Sequence, residues 1–205
     1  MRPRPAPTPL AAALLAAGLA LPAEAVVMTV TDVGLVYAIS VRVGAVSGVD
    51  TVAFSVAGDN VGLAPVAGSP VIEVWVTPFR PANSSSTARP VTLRVDSTPG
   101  LACQSGGCGA TLIPFSQIGW TASNNGAATT GDIQSGRFDG SANQQIASFN
   151  ANATFCSAPV LLLCLGYAYR SNAISATRMQ FSYDNDVVYP AGNYRGTVRF
   201  TASME

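Results

Sequence analysis

The sequence contains neither histidine nor lysine, so all 11 of its basic side chains are arginines. The lack of histidine excludes a Ser-His-Asp triad, a Cys-His pair and imidazole metal sites. The lack of lysine excludes a Schiff base and a Ser-Lys pair. Carboxylates and tyrosines remain for catalysis, because cysteines held in disulfides supply no nucleophile. We therefore expect a protein that is not an enzyme and that uses no metal and no other cofactor.

Charged side chains are scarce, at 11% of the residues, and their formal sum at pH 7 is zero. No clustered basic face is visible, which argues against nucleic acid or an anionic membrane surface as a partner. The most apolar segment of the chain after its N-terminus is Pro159–Tyr169. This segment is shorter than the roughly 20 residues that span a bilayer, so we expect no membrane insertion of the mature chain.

The first 25 residues have the organisation of a secretory signal peptide. Arg2 and Arg4 make the start basic, Leu10–Leu21 is an apolar run, and Ala23–Ala25 is a small-x-small cleavage site. Retention as a membrane anchor is the alternative, but the run of about 12 residues is short of a bilayer span. We predict a signal peptide at 1–25, cleavage before Val26, and secretion to the periplasm or the cell surface.

The mature chain, residues 26–205, is long enough for one domain with a single apolar core, and we expect one secreted β-sandwich domain in this range. Residues 78–90 hold three prolines and a run of small polar side chains, which makes them a candidate hinge. Ala122–Ser135 is almost wholly small and polar, and we expect a long connection that is either mobile or a binding loop.

Alternation of apolar and polar residues predicts β-strands along most of the mature chain. The clearest is the last, Tyr194–Ala202, in which every second residue falls on one side. A turn at Tyr189–Asn193 precedes it and Met179–Tyr183 alternates before the turn, so a short loop is predicted to join these two strands. Further strands are predicted at Val26–Val43, Thr51–Ala57, Val71–Thr77, Val91–Val95, Leu112–Thr121, Arg137–Phe138, Gln145–Phe149 and Pro159–Tyr169.

Several of these strands carry a more specific expectation. In Thr51–Ala57 we expect Val52, Phe54 and Val56 to face inward, and Val71–Thr77, apolar on nearly both sides, is expected to be central. The proline in Leu112–Thr121 predicts an edge strand or a bulge, and Pro159–Tyr169 is expected to be a buried strand. With no capped amphipathic helix of three turns, the chain is predicted to be all-β, an immunoglobulin-like or Greek-key β-sandwich of about nine to eleven strands.

All four cysteines follow the predicted signal peptide, so disulfides are the default interpretation. Of the three possible pairings we favour Cys103 with Cys108 and Cys156 with Cys164. Each bridge would close a short loop, which contributes roughly 2–3 kcal/mol in the chain-entropy model. The alternative is a zinc site built from all four thiolates, which normally requires closer Cys-x-x-Cys spacing and a reducing compartment.

The only close pair of acids, Asp184 and Asp186, flanks Asn185. Asp-Asn-Asp after a strand is most often a solvated turn. It also matches half of a calcium loop, without the glycine and glutamate that complete an EF-hand, and paired carboxylates hydrolyse glycosidic bonds. Tyr189, beside a proline, is the tyrosine that we expect to be most exposed, whereas core or rim packing is expected for most of the other aromatics. Tyr189, Asp184 and Asp186 are therefore the candidate ligand contacts.

The C-terminal residues Pro190–Thr201 form a Pro-Ala-Gly-x-Tyr turn followed by an alternating strand. This segment resembles the closing strand of bacterial pilin-like secreted proteins, which include spore coat protein U-type domains and fimbrial subunits. The resemblance implies an immunoglobulin-like sandwich, secretion to the periplasm or cell surface, and assembly of subunits by strand donation. Val26–Val43 is the candidate donor strand, because an extended peptide that completes another subunit's sheet gains main-chain hydrogen bonds.

The function that follows is a non-enzymatic structural or adhesive component of a surface. Its expected partners are like subunits or other surface proteins, bound by strand addition, or glycans. The alternative is a carbohydrate-binding module that uses exposed aromatics on one sheet or the loop Ala122–Ser135. A hydrolase that uses Asp184 and Asp186 is the third hypothesis.

Overall fold

The computed structural model describes residues 27–32, 37–44, 51–56, 58–79, 89–156, 159–160, 163–165 and 167–205. The predicted signal peptide at 1–25, the mature start at Val26 and residues 80–88 of the candidate hinge lie outside these ranges.

Within the described residues the chain is all-β, with 17 strands and three single turns of 3-10 helix. The strands are β1 (Val27–Asp32), β2 (Tyr37–Gly44), β3 (Val66–Ala67), β4 (Ile72–Phe79), β5 (Pro90–Asp96), β6 (Leu101–Cys103), β7 (Leu112–Ile113), β8 (Ile118–Ser123), β9 (Gly136–Arg137), β10 (Gln144–Asn150), β11 (Asn152–Cys156), β12 (Pro159–Val160), β13 (Leu163–Cys164), β14 (Tyr167–Ser171), β15 (Ile174–Tyr183), β16 (Tyr194–Arg195) and β17 (Arg199–Met204). The short helical turns are Gly58–Asn60, Phe115–Gln117 and Ala128–Thr130. The prediction of an all-β sandwich is confirmed. The number of strands is larger than the nine to eleven predicted, because six strands have only two residues and are too short to show alternation.

The larger sheet contains seven strands in the order β1-β2-β4-β15-β8-β9, with β3 also paired to β15. The predicted central position of the strand after Val71 is confirmed, because β4 lies between β2 and β15. Its inward residues Val74 and Val76 are fully buried. At Pro114, where an edge strand or a bulge is predicted, the chain instead leaves β7, an edge strand of a small sheet, makes a helical turn at Phe115–Gln117 and enters the larger sheet as β8, between β15 and β9.

A second sheet has three strands in the order β10-β5-β17. Val91, Leu93 and Val95 of β5 form one inward row, as alternation in the predicted strand Val91–Val95 requires, and they are at most 1% exposed. In the antiparallel ladder with β17, Leu93 stands opposite Ala202. The remaining strands form the small sheets β16-β6-β7, β11-β14 and β12-β13.

The apolar core contains buried side chains from the seven-stranded sheet and from the three-stranded sheet β10-β5-β17. A row of inward residues on β15 faces this core. Its members are Ile174, Thr177, Met179, Phe181 and Tyr183. The row loses strict alternation after Ile174 because the register with β4 shifts there by one residue, which is a β-bulge. Ala176, inside the bulge, has a φ of 58°, and the Asn124 side chain donates a 2.9 Å hydrogen bond to its carbonyl oxygen.

The predicted C-terminal strand Tyr194–Ala202 is divided, which corrects the sequence interpretation. Its first two residues form β16 and pair with β6, whereas its last residues belong to β17 and pair with β5. The division falls near Gly196, where an added Cβ would lie 2.5 Å from the carbonyl oxygen of Gly100. The strand before the turn, β15, pairs with β3, β4 and β8 among the described strands and with neither β16 nor β17.

Two other predicted strands are wrong. In Thr51–Ala57 the described residues make only one isolated bridge, between Ala53 and Ser69. Val52 and Phe54 pack against the core as expected, but Val56 is 38% exposed. Pro159–Tyr169 is not one buried strand, since β12 and β13 form a two-residue ladder and Leu163 and Leu165 are more than 70% exposed. The strands β12 and β13 pair with each other and not with the seven-stranded or the three-stranded sheet.

The buried row of β5 gives a direct test of the sandwich core. Leu93→Ala removes a fully buried side chain, and we expect it to lower the free energy of unfolding by about 2–5 kcal/mol. The matched control is Leu63→Ala, because Leu63 is 75% exposed and should change stability by no more than about 0.5 kcal/mol. Urea unfolding followed by circular dichroism measures both values. Equal losses in the two variants would contradict the assignment of Leu93 to the core.

Candidate ligand-binding loops

The three predicted ligand contacts lie together on the loop 184–193, which follows β15. Asp184 comes directly after the last residue of β15, Tyr183, which is 8% exposed. Burial raises the pKa of the Tyr183 phenol, and nearby Tyr189, Asp186, Tyr194 and Asp184 raise it further. Asp184, Asp186 and Tyr189 therefore lie on one loop, near Tyr183 and Tyr194.

Asp184 is held by Arg137. The two terminal guanidinium nitrogens donate to the two carboxylate oxygens at 2.5 and 3.2 Å, and Arg137 also donates to the carbonyl oxygen of Ser116. The hydrogen bond to Asp184 and the charge of that carboxylate raise the pKa of Arg137, and the charge of Asp186 adds to this effect. The Asp184 main-chain N–H donates to the carbonyl oxygen of Gln117 at 2.8 Å. The end of β15 is therefore fixed to β9 and to the turn before β8.

Asn185 is the residue of this site that sequence reasoning missed. It is 2% exposed and has a φ of 54°. Its side-chain amide donates to the carbonyl oxygens of Asn60 and Ala64 at 2.6 and 2.8 Å, and it accepts a 3.3 Å bond from the N–H of Gly62. The interpretation of Asp-Asn-Asp as a solvated turn holds for the exposed Asp186 but is wrong for Asn185, which ties the loop 58–64 to the loop 184–193.

Most of the aromatic side chains were predicted to pack in the core or at its rim, and the described ones can be compared with that prediction. Trp120 is a core residue, 6% exposed, and its indole N–H donates to the carbonyl oxygen of Gln134 at 2.8 Å. Tyr189 is half-buried and packs against the core. Tyr194 packs there too, and its hydroxyl donates to the carbonyl oxygen of Pro190 at 2.7 Å. On the larger sheet, the guanidinium of Arg42 covers the ring of Trp75 at 4.7 Å.

A disulfide supports the far part of the loop 184–193. Cys103 and Cys108 are bonded as predicted, with Cα atoms 5.8 Å apart, which excludes the four-thiolate zinc site. The N–H of Gln104 donates to the carbonyl oxygen of Asn193 at 2.7 Å, and the N–H of Asn193 donates to the Ser105 hydroxyl at 3.2 Å. The disulfide loop therefore fixes the position of the turn before β16.

The second predicted bridge joins Cys156 and Cys164, whose side chains lie outside the described part of the structure. The disulfide that is present fits an oxidising, extracellular compartment.

The predicted loop Ala122–Ser135 is anchored along its length, so the expectation of a mobile connection is not supported. Ile133 is fully buried. Asp132 accepts hydrogen bonds from the N–H of Gly126 at 2.7 Å and from the Thr177 hydroxyl at 3.1 Å. The Asn125 amide donates to the carbonyl oxygen of Ile133 at 2.7 Å. Most of the loop's polar groups are thus paired within the protein.

Metal-binding clusters and membrane-spanning helices were both sought among the described residues. Among them, no three His, Cys, Asp or Glu side chains lie close enough together to hold a metal ion. No helix in the same part of the chain has the length and hydropathy needed to cross a membrane.

Comparisons with protein-family models, with curated proteins and with solved structures found no match for this chain.

The clamp formed by Asn185 predicts a coupled loss of stability in two loops. Asn185→Ala leaves the Gly62 N–H and the carbonyls of Asn60 and Ala64 without their partner, and we expect a loss of about 1–3 kcal/mol in unfolding free energy. Asn185→Gly loses the same bonds but accommodates a positive φ, so it should be less destabilising than alanine by about 1 kcal/mol. Amide hydrogen exchange should show faster exchange at Gly62 in both variants.

Asn193→Ala is the matched control for the clamp. Asn193 is exposed in the same loop, and its described hydrogen bonds use only main-chain atoms. We expect unchanged exchange at Gly62 in this variant. An equal effect of Asn193→Ala and Asn185→Ala would show that the two loops are not joined through the Asn185 side chain.

Proposed function

We propose that this chain is a non-enzymatic, secreted structural or adhesive protein of the periplasm or cell surface. In this proposal it is a pilin-like subunit that associates with like subunits or other surface proteins by strand addition. The observation that carries the proposal is the position of β1 at the edge of the larger sheet. Exposed edges of this kind recruit an extended strand from another chain.

β1 has the properties of an open edge. All six of its residues pair with β2, and no other described strand pairs with it. The sequence of β1 contains no proline, lysine or arginine, and its only charge is Asp32 at its end. Natural edge strands are usually protected by such residues or by a bulge. The absence of these devices from β1 favours pairing with a second chain.

The candidate donor segment is shorter than Val26–Val43. β2 is an interior strand of its own sheet, paired with β1 on one side and β4 on the other, and its residues Ile39 and Val41 are buried. Among the described strands, β1 pairs with β2 alone. Removal of β1 would therefore expose the edge of β2, which is the arrangement that exchange of a strand between subunits requires.

An immunoglobulin-like or Greek-key arrangement is part of the same proposal. It is supported by β15, which lies between β4 and β8 although both are distant from it in sequence. It is also supported by β5, which pairs with a C-terminal strand and thus links the two halves of the chain. Connections of this long-range type are typical of Greek-key sandwiches.

Light scattering of the mature protein tests the role of β1. We expect the chain 26–205 to assemble and a variant lacking residues 26–32 to be a folded monomer. A second variant, Thr29→Lys with Thr31→Lys, should weaken assembly, because charged side chains on an edge strand oppose the addition of another strand. Thr29 and Thr31 stand opposite Ser40 and Ala38 in the ladder, positions that alternate with the buried Ile39 and Val41.

The matched control is Thr201→Lys. Thr201 is exposed on β17, which is an edge strand of the second sheet, so this lysine should leave assembly through β1 unchanged. A monomeric mature chain at all concentrations would contradict the proposal. Equal loss of assembly in the β1 and β17 variants would assign association to a surface other than β1.

The second candidate function is carbohydrate binding at the loop 184–193. It is favoured by the grouping of Tyr189, Asp184 and Asp186 at one site, since aromatic rings and carboxylates together recognise sugars. Trp75 is less suited to this role, because Arg42 covers its ring. In this candidate the acids bind hydroxyl groups, and no hydrolysis is required of them.

Nuclear magnetic resonance with maltose, cellobiose and chitobiose as probes tests the carbohydrate hypothesis. We expect one of these sugars to shift the amide signals of residues 184–193, and Tyr189→Ala should weaken its binding by about tenfold. Trp75→Ala is the control at the sheet surface and should leave binding unchanged. A sugar that shifts the signals around Trp75 instead would place the binding site on the sheet. If none of the three sugars shifts any signal, the carbohydrate hypothesis is contradicted for sugars of this class.

A further inference from the structure

Four of the eight exposed large apolar side chains in the described part of the chain lie on two adjacent loops. These residues are Val61, Leu63, Val187 and Val188, with exposures of 40, 75, 43 and 70%. We call them the valine–leucine surface. The two loops meet directly, because an added Cβ on Gly62 would lie 3.0 Å from a methyl carbon of Val188. Gly62 has a φ of 74°, a conformation that favours glycine.

The valine–leucine surface is held rigidly. Asn185, buried beneath it, makes hydrogen bonds to both ends of the loop 58–64, and Leu63 donates its N–H to the carbonyl oxygen of Asn60 at 3.2 Å. Asn185 itself occupies the left-handed region, which is unfavourable for most residues. A main chain that is held by hydrogen bonds in this way loses little entropy when a partner covers the side chains that it carries. Exposed apolar patches with such support mark interaction sites.

The charges around this surface are acidic. Asp59 and Asp186 are exposed on the same two loops, and neither forms an ion pair with another described residue. The sequence has no arginine in residues 51–79 or 184–194, and the guanidinium of Arg137 is already bonded to Asp184. A partner that covers the surface must therefore place apolar atoms over the valines and leucine and positive charge beside the two acids.

We propose that the valine–leucine surface binds a segment of a partner protein in which apolar side chains are flanked by arginine or lysine. The apolar contact supplies most of the affinity, and Asp59 and Asp186 supply selection for the basic flanks, because complementary charges at a rim raise specificity and the association rate. The residues of this surface are not those of β1, so different variants test the two proposals.

Peptide titration of the mature protein, followed by nuclear magnetic resonance, tests this proposal. The probes are the capped peptides Arg-Leu-Val-Leu-Arg and Glu-Leu-Val-Leu-Glu. We expect the arginine peptide to shift the amide signals of residues 58–64 and 184–188 and to bind at least about tenfold more tightly than the glutamate peptide. Added salt should reduce this preference, because the acids are exposed to solvent.

Two variants separate the apolar and acidic contributions. The double variant Leu63→Ser with Val188→Ser should weaken binding of the arginine peptide by about tenfold or more. The control variant Leu112→Ser should leave this binding unchanged, because Leu112 is 50% exposed but lies elsewhere on the molecule. Asp59→Asn with Asp186→Asn should bring the two peptides to similar affinity. Circular dichroism confirms that each variant is folded before titration.

Three outcomes would overturn the proposal. They are equal binding of the two peptides to the unmodified protein, the absence of shifts in both loops, and an equal loss of binding in Leu112→Ser. Shifts of residues 58–64 and 184–188 that grow with protein concentration without peptide would show that a second copy of this chain occupies the surface, which also contradicts a basic partner segment.

Discussion

The burial of β15 is the constraint on which the rest of the structure depends. This strand of ten residues is paired on both edges, with β4 and β3 on one side and β8 on the other. One of its faces supplies a continuous inward row that ends at Tyr183. A strand in this position cannot shift by one residue without turning its whole buried row toward solvent. β15 therefore fixes the register of the larger sheet.

The same strand also positions the residues of the candidate site. The last residues of β15 pair with Val66 of β3 and Ile118 of β8, so the loop 58–64 and the turn before β8 must both arrive at the point where the loop 184–193 begins. Asn185 then joins two loops whose positions are already set. A site that rests on strands in this way holds its groups more accurately than one built on a free loop.

Alternation in the sequence was a reliable guide where a strand has one covered face and two paired edges. β5 and the end of β15 are such strands, and every second residue in each of them is buried, as the alternation predicts. The pattern gave no information on which sheet a strand joins, so Tyr194–Ala202 appeared to be one strand. It also could not distinguish a buried apolar strand from the segment that contains Leu163 and Leu165, whose side chains are exposed.

The candidate site was predictable only in its composition. Asp184, Asp186 and Tyr189 are close in sequence, and their grouping on one loop follows from that. The role of Asn185 could not be predicted, because its acceptor on Asn60 lies 125 residues away in the chain. A buried polar side chain is understood only from the main-chain groups that it satisfies, and these belong to a loop that the sequence pattern did not place beside it.

The pairing of β5 with β17 has a consequence for how the chain reaches its native state. Thr92 and Ser203, whose hydroxyls are 2.8 Å apart across this ladder, are separated by 111 residues. The second sheet cannot close until nearly the whole polypeptide has been synthesised, so β5 must wait with one edge unpaired. Such distant pairing slows folding. The last strand of the chain, β17, is therefore the one that completes the second sheet.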